Sequence, residues 1–129
     1  MISDYFGISC RFIGDLSPHE PDCIIEMDIG KITIECKREK AKEKFVSAKE
    51  SEEILGKGSK YNPIAYVTIG YPDFSKDAIS NVENTSVTLV TCSALVKMLI
   101  RFWEKKLSKK DIINIMKSKT YVNDEKIEM

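Results

Sequence analysis

The chain has no run approaching the roughly 20 apolar residues that a membrane-spanning helix requires. That absence, with 31% charged residues, excludes a membrane protein built on such helices. No basic segment followed by an apolar stretch stands in MISDYFGISC, so no secretory leader is expected. The four cysteines, Cys10, Cys23, Cys36 and Cys92, include no CxxC pair, and a zinc site built from paired ligands on one short segment is therefore not expected. Each lies in or beside an apolar run, the setting of a reduced core thiol in a cytoplasmic protein. Linkers, repeats and low-complexity segments are missing as well. The 129 residues fit one domain, assigned to residues 1–122, followed by a polar tail over 123–129.

Formal net charge is zero, so overall charge does not announce a nucleic-acid binder. Its distribution is uneven. From Met1 to Gly30 one Arg stands against six acids, whereas from Lys97 to Lys119 eight Lys and Arg stand against Glu104 and Asp111. An acidic front and a basic back fit a metal site near one and a phosphate-facing surface near the other. They fit solvated lysine-rich helices equally well.

Periodicity orders the chain. Tyr5–Ile13 reads as a strand and GDLSPHEP as a loop. CIIEMD and KITIEC read as a hairpin turning at Asp28-Ile29-Gly30. REKAKEKFVSAKESEEIL reads as a mostly exposed helical segment ended by Gly56-Lys57-Gly58. Ile64–Gly70 and SVTLVT are buried strands, with a turn at Pro72-Asp73 and a short helix, Ser75–Asn81, between them. From Ser93 a helix carries Leu95, Met98, Leu99, Phe102 and Trp103 on one apolar stripe, with Lys97, Arg101 and Lys105 off it. Ser108 to Asp111 resembles a capping box opening a second helix over residues 111–117. The sum is an α/β fold in which a mixed central sheet is flanked by helices.

The stretch HEPDCIIEMDIGKITIECKRE carries the candidate chemistry. Strand side chains alternate faces, so Ile32, Ile34 and Cys36 point one way and Thr33, Glu35 and Lys37 the other. With the turn at Asp28-Ile29, Met27 pairs with Gly30 and Asp22 lands opposite Glu35; with a three-residue turn Asp22 lands opposite Cys36, still next to Glu35. Two opposed carboxylates are unfavourable in a hairpin, and a divalent cation between them reverses the sign. The same residues also fit a solvated hairpin, with Asp22 at the strand start and Glu35–Lys37 as a surface pair. His19 and Glu20 lie in the loop before Asp22, and Glu26 lies farther down the hairpin.

Pro21-Asp22 followed by Glu35-Cys36-Lys37 resembles the PD-(D/E)xK signature of restriction-endonuclease-like nucleases. The order of elements, and VTIGYPDFSKDAISNVENTSVTLVTCSALVKML downstream, resemble the cleavage domain of FokI-type type IIS restriction enzymes. The resemblance covers roughly residues 5–121. It implies a restriction-endonuclease-like core and a Mg²⁺-dependent endonuclease hydrolysing DNA, with Mn²⁺ as a substitute ion. It implies Asp22, Glu35 and the backbone carbonyl of Cys36 as metal ligands. Lys37 would orient or deprotonate the attacking water. The family's helix ahead of the first core strand is not expected from Met1–Asp4. That departure leaves open a homodimer or partner subunit supplying the helix or sequence specificity, and an inactive dimerisation or DNA-binding module. An RNA nuclease of the same fold is a further alternative.

Overall fold

A computed structural model describes residues 9–12, 20–27, 29–39 and 45–127. The sheet has six strands in chain order, β1 (Ser9–Phe12), β2 (Cys23–Met27), β3 (Gly30–Arg38), β4 (Ala65–Tyr71), β5 (Val87–Thr91) and β6 (Tyr121–Val122). The first three pair antiparallel, and β3 to β6 run parallel. Antiparallel neighbours need only a tight turn, whereas each parallel step needs a crossover. The crossovers are α1 (Ala48–Ser51) with α2 (Glu53–Gly58), then α3 (Lys76–Asn81), then α4 (Cys92–Trp103) with α5 (Lys109–Met116). The class is therefore α/β, with a mixed sheet flanked by helices. No helix of the described residues is long and apolar enough to cross a membrane.

Both faces of the sheet are covered. On one, Cys23, Ile25, Ile32, Ile34, Val67 and Val90 pack against Ala94 and Met98 of α4 and Ile112 and Met116 of α5. On the other, Val87 and Leu89 pack with Ile54 of α2, Ala78 of α3 and Phe74. Strands sandwiched this way read as near-continuous apolar runs, which is why AYVTIGY and VTLVT stand out in the sequence. The hairpin turn at Gly30 has φ 141°, where an L residue is strained, and a Cβ there would sit 2.6 Å from Cγ2 of Ile64. Helix starts follow capping chemistry. Thr91 accepts the Ala94 N–H, and Ser108 and Asp111 form the reciprocal capping box at α5.

Gly56, Lys57 and Gly58 close α2, which ends at Gly58 and passes into a 3-10 turn over Ser59–Tyr61. Other expectations need correction. The α1–α2 segment is not mostly exposed, because Glu50, Ser51, Ile54 and Gly58 are buried where the segment crosses the sheet. Trp103 leaves the α4 stripe and is 69% exposed, one residue beyond the packed Phe102. The polar tail is part of the fold: residues Asp124–Ile127 form a 3-10 turn that buries Ile127 in the core. Among the cysteines Cys23 is a core thiol, whereas Cys36 is exposed and Cys92 half-buried, and all three are free. Met1–Asp4, His19 and the side chain of Cys10 lie outside the described residues.

Asp73, expected only as a turn residue, ties β6 to the end of β4. It accepts from the Tyr121 hydroxyl at 2.6 Å and from the Phe74 N–H at 2.7 Å. Burial, then the Asp73 carboxylate, raises the Tyr121 phenol above its ordinary value. A phenol whose folded pKa is raised stabilises the fold fully below its unfolded pKa, and that contribution is lost as pH rises above it. Tyr121→Phe is therefore expected to lower stability by about 1 kcal/mol at neutral pH. Urea denaturation of both proteins should show that gap closing at about pH 10.5. A gap that is constant with pH would contradict the assignment.

Candidate functional site

Of the two registers the sequence allows, the hairpin takes the one with Met27 opposite Gly30. Cys23 pairs with Ile34, which sets Asp22 against Glu35 at the last step. There β2 stops while β3 runs on to Arg38. Two hydrogen bonds close the end of the ladder. The Asp22 N–H donates to Oε1 of Glu35 at 3.2 Å, and the Cys36 N–H donates to Oδ2 of Asp22 at 2.8 Å. In a strand the N–H and C=O of one residue project to the same edge. The Cys36 carbonyl therefore faces the opening beyond Asp22.

Glu35 is only 1% exposed, which removes the solvated-pair reading for this residue. On β4, Thr68 pairs with Glu35 in register and donates to the Ser51 carbonyl at 2.8 Å, which pins the α1–α2 junction over the strand. From that junction α2 presents Glu53 and Lys57 to β3. Lys57 donates to Oε2 of Glu35. Lys37 donates to Oε2 of Glu53 at 2.5 Å and lies 3.7 Å from Oε2 of Glu35. Glu50, also buried, accepts from Ser47 and adds its field to Lys37. Just before Asp22, Glu20 accepts from both Lys60 and Tyr61 in the turn after α2.

These neighbours set the charge states. Burial raises the Glu35 carboxyl above the carboxylate range; the Lys57 ammonium pulls it down and Asp22 pushes it up again. For Lys37 burial acts to lower the pKa, but Glu53, Glu35 and Glu50 together outweigh it and the net direction is upward. Lys37 is thus held as an ammonium, suited to orienting a water or countering negative charge rather than removing a proton.

Asp22, Glu35, the Cys36 backbone and Lys37 stand together at the end of the hairpin. Glu26 does not join them: it pairs with Lys31 near the hairpin turn. The basic stretch after Lys97 is also elsewhere. Lys109, itself exposed, borders an apolar pocket lined by Met27 and Ile32, at the turn end of the hairpin. Among the described residues, positive charge near the carboxylates comes instead from Lys37, Lys57 and Lys60. Sequence reasoning missed Glu50, Glu53 and Lys57. Their spacing of i, i+3 and i+7 was the available signal, since it lines one helix face with charge beside buried Ile54.

The residues at the hairpin end fit a hard divalent cation by chemistry. They supply two carboxylates and a peptide carbonyl, all oxygen donors, and Glu35 is buried where an opposing carboxylate disfavours its charge. No group of three or more His, Cys, Asp or Glu side chains stands together as a metal cluster among the described residues.

Fold and site together define an α/β protein with a charged cluster at the open end of a buried hairpin. No family model matches the chain, and no curated protein matches it. The crystal structure of AF1548, a protein of unknown function, is similar in fold, with a TM-score of 0.51 over 92% of this chain and 92% of that one. At 12% identity the likeness is one of fold alone.

Proposed function

We propose that this protein is a Mg²⁺-dependent endonuclease of the PD-(D/E)xK, restriction-endonuclease-like class, acting on DNA in the cytoplasm. The observation that carries the reading is the convergence of Asp22, Glu35, the Cys36 carbonyl and Lys37 where β2 ends and β3 continues. Element order adds support: three antiparallel strands, a helical crossover, then a parallel fourth strand.

Asp22, Glu35 and the Cys36 carbonyl would hold the ion. Mg²⁺, or Mn²⁺ in its place, supplies Lewis-acid polarisation of the phosphoryl oxygen and a lowered pKa for water. The Lys37 ammonium orients the attacking water and counters charge developing on the phosphate. Water attacks phosphorus in line as the opposite P–O bond breaks, leaving a 5′-phosphate and a 3′-hydroxyl. A homodimer or partner subunit would bring the second site that duplex cleavage needs. A second reading, an inactive nuclease-fold module for dimerisation or DNA binding, draws on one observation: Glu35 and Lys37 are already ion-paired with α2. An RNA substrate would use the same chemistry.

The test is supercoiled plasmid incubated with the purified protein in Mg²⁺ or Mn²⁺ and, separately, in EDTA. Nicked or linear product only with the metal is expected. Intact plasmid with folded protein in either metal would overturn the DNA endonuclease reading.

A further inference from the structure

Glu35, Lys37, Glu53 and Lys57 form a square of charges that alternate in sign. Along β3, Glu35 and Lys37 are two residues apart on one face, and along α2, Glu53 and Lys57 are one turn apart. The close pairs run between the elements, Lys57 to Glu35 and Lys37 to Glu53. Yet Glu53 preceding Lys57 by four residues is the favourable orientation for an ion pair within a helix. Lys57 therefore has a second carboxylate within reach of its flexible stem. Its side chain is 24% exposed, and that of Glu53 is 37% exposed, which leaves room to exchange. Glu35 is fully enclosed, so a cation reaching it meets the Lys57 ammonium on Oε2.

We infer that Lys57 is a positioning residue that occupies Glu35 as a built-in counter-ion in the metal-free protein and passes to Glu53 when a divalent cation arrives. Passing Lys57 to Glu53 releases Lys37 from the same carboxylate and turns its ammonium toward the phosphate. The square is thus a contact that keeps both Glu35 and Lys37 engaged until metal is present. This inference rests on the nuclease reading of the site.

The test measures Mn²⁺ binding by titration calorimetry, without nucleic acid, for wild type, four single variants and the Glu53→Gln/Lys57→Gln double variant. Glu35→Gln should abolish binding. Lys57→Gln, which keeps a donor for Oε2 but removes the competing charge, should tighten Mn²⁺ binding about tenfold. Lys57→Arg should stay within about twofold of wild type, because the charge remains. Glu53→Gln, which removes the second berth, should weaken binding several-fold, and this effect should vanish in the Lys57→Gln background. Simple loss of a negative charge would instead give the same weakening in both backgrounds, and that additivity would overturn the exchange. Unchanged or weaker binding by Lys57→Gln, with wild type binding and Glu35→Gln not, overturns the role of Lys57 and leaves the nuclease reading intact. No binding by wild type overturns both. Should Lys57→Gln unfold at the assay temperature, the Mn²⁺-induced rise in Tm of Lys57→Met decides: a larger rise than wild type supports the inference, and an equal or smaller one refutes it.

Discussion

Lys37→Met should lower Mg²⁺-dependent plasmid cleavage by about 10²–10³-fold with the fold intact. Methionine keeps the length and apolar stem of lysine and removes only the ammonium, which sits 2.5 Å from Glu53 and 3.7 Å from Glu35. Glu53 is 37% exposed, so little stability depends on the pair. The chemical step loses the cation that would face the phosphate as negative charge develops, and nothing else on β3 replaces it. Arg38 is next in sequence but projects to the other side of the strand. Lys37→Arg should recover only part of the rate, because a planar guanidinium does not occupy the place of a compact ammonium. Comparing initial nicking rates, with Tm as the control for folding, reads the effect directly. Cleavage within about threefold of wild type would remove Lys37 from the site and break the signature at its last letter.

Gly58→Val should destabilise the protein by about 2 kcal/mol. A Cβ at Gly58 would lie 2.7 Å from Oγ1 and 3.1 Å from Cβ of Thr33. Thr33 is fully buried on β3, and its β-branched side chain has little rotamer freedom to yield. The strain is relieved only by lifting α2 off the sheet, which draws Glu53 and Lys57 away from Lys37 and Glu35. Gly56, two residues earlier in the same helix, is the internal control: a Cβ there meets nothing within 4 Å. Gly56→Ala should be neutral or stabilising by up to about 1 kcal/mol, since alanine is the better helix former. Urea midpoints for the two variants check both halves. A Gly58→Val protein as stable as wild type would show that α2 does not depend on this close approach.

These expectations show how unevenly the sequence discloses the site. The hairpin register was legible because alternation and a tight turn leave few pairings, and a slip of one residue would turn Ile32 and Ile34 out of the core. The capping box at Ser108 was legible because it is a local reciprocal bond. The α1–α2 segment was misread for the opposite reason. Its composition is that of a solvated helix, and nothing local says that Glu50 would be buried or that Lys57 would reach a carboxylate on a strand 22 residues earlier. The short 3-10 turn at the end of the chain looked like a tail because a single apolar residue, Ile127, carries its packing.

Local physical chemistry in the sequence determined the strands, the hairpin and the placing of Asp22 opposite or next to Glu35, with Lys37 on the same face as Glu35. Those outcomes depend on period-two geometry and on turn chemistry, which act over a few residues. Tertiary structure decided that Glu35 is enclosed, that its counter-ion is Lys57, and that Lys37 is held by Glu53. Each of these depends on where α2 crosses the sheet. That crossing is set by the close approach of Gly58 to Thr33 and the anchoring of Ser51 by Thr68, contacts between segments that a linear reading does not bring together.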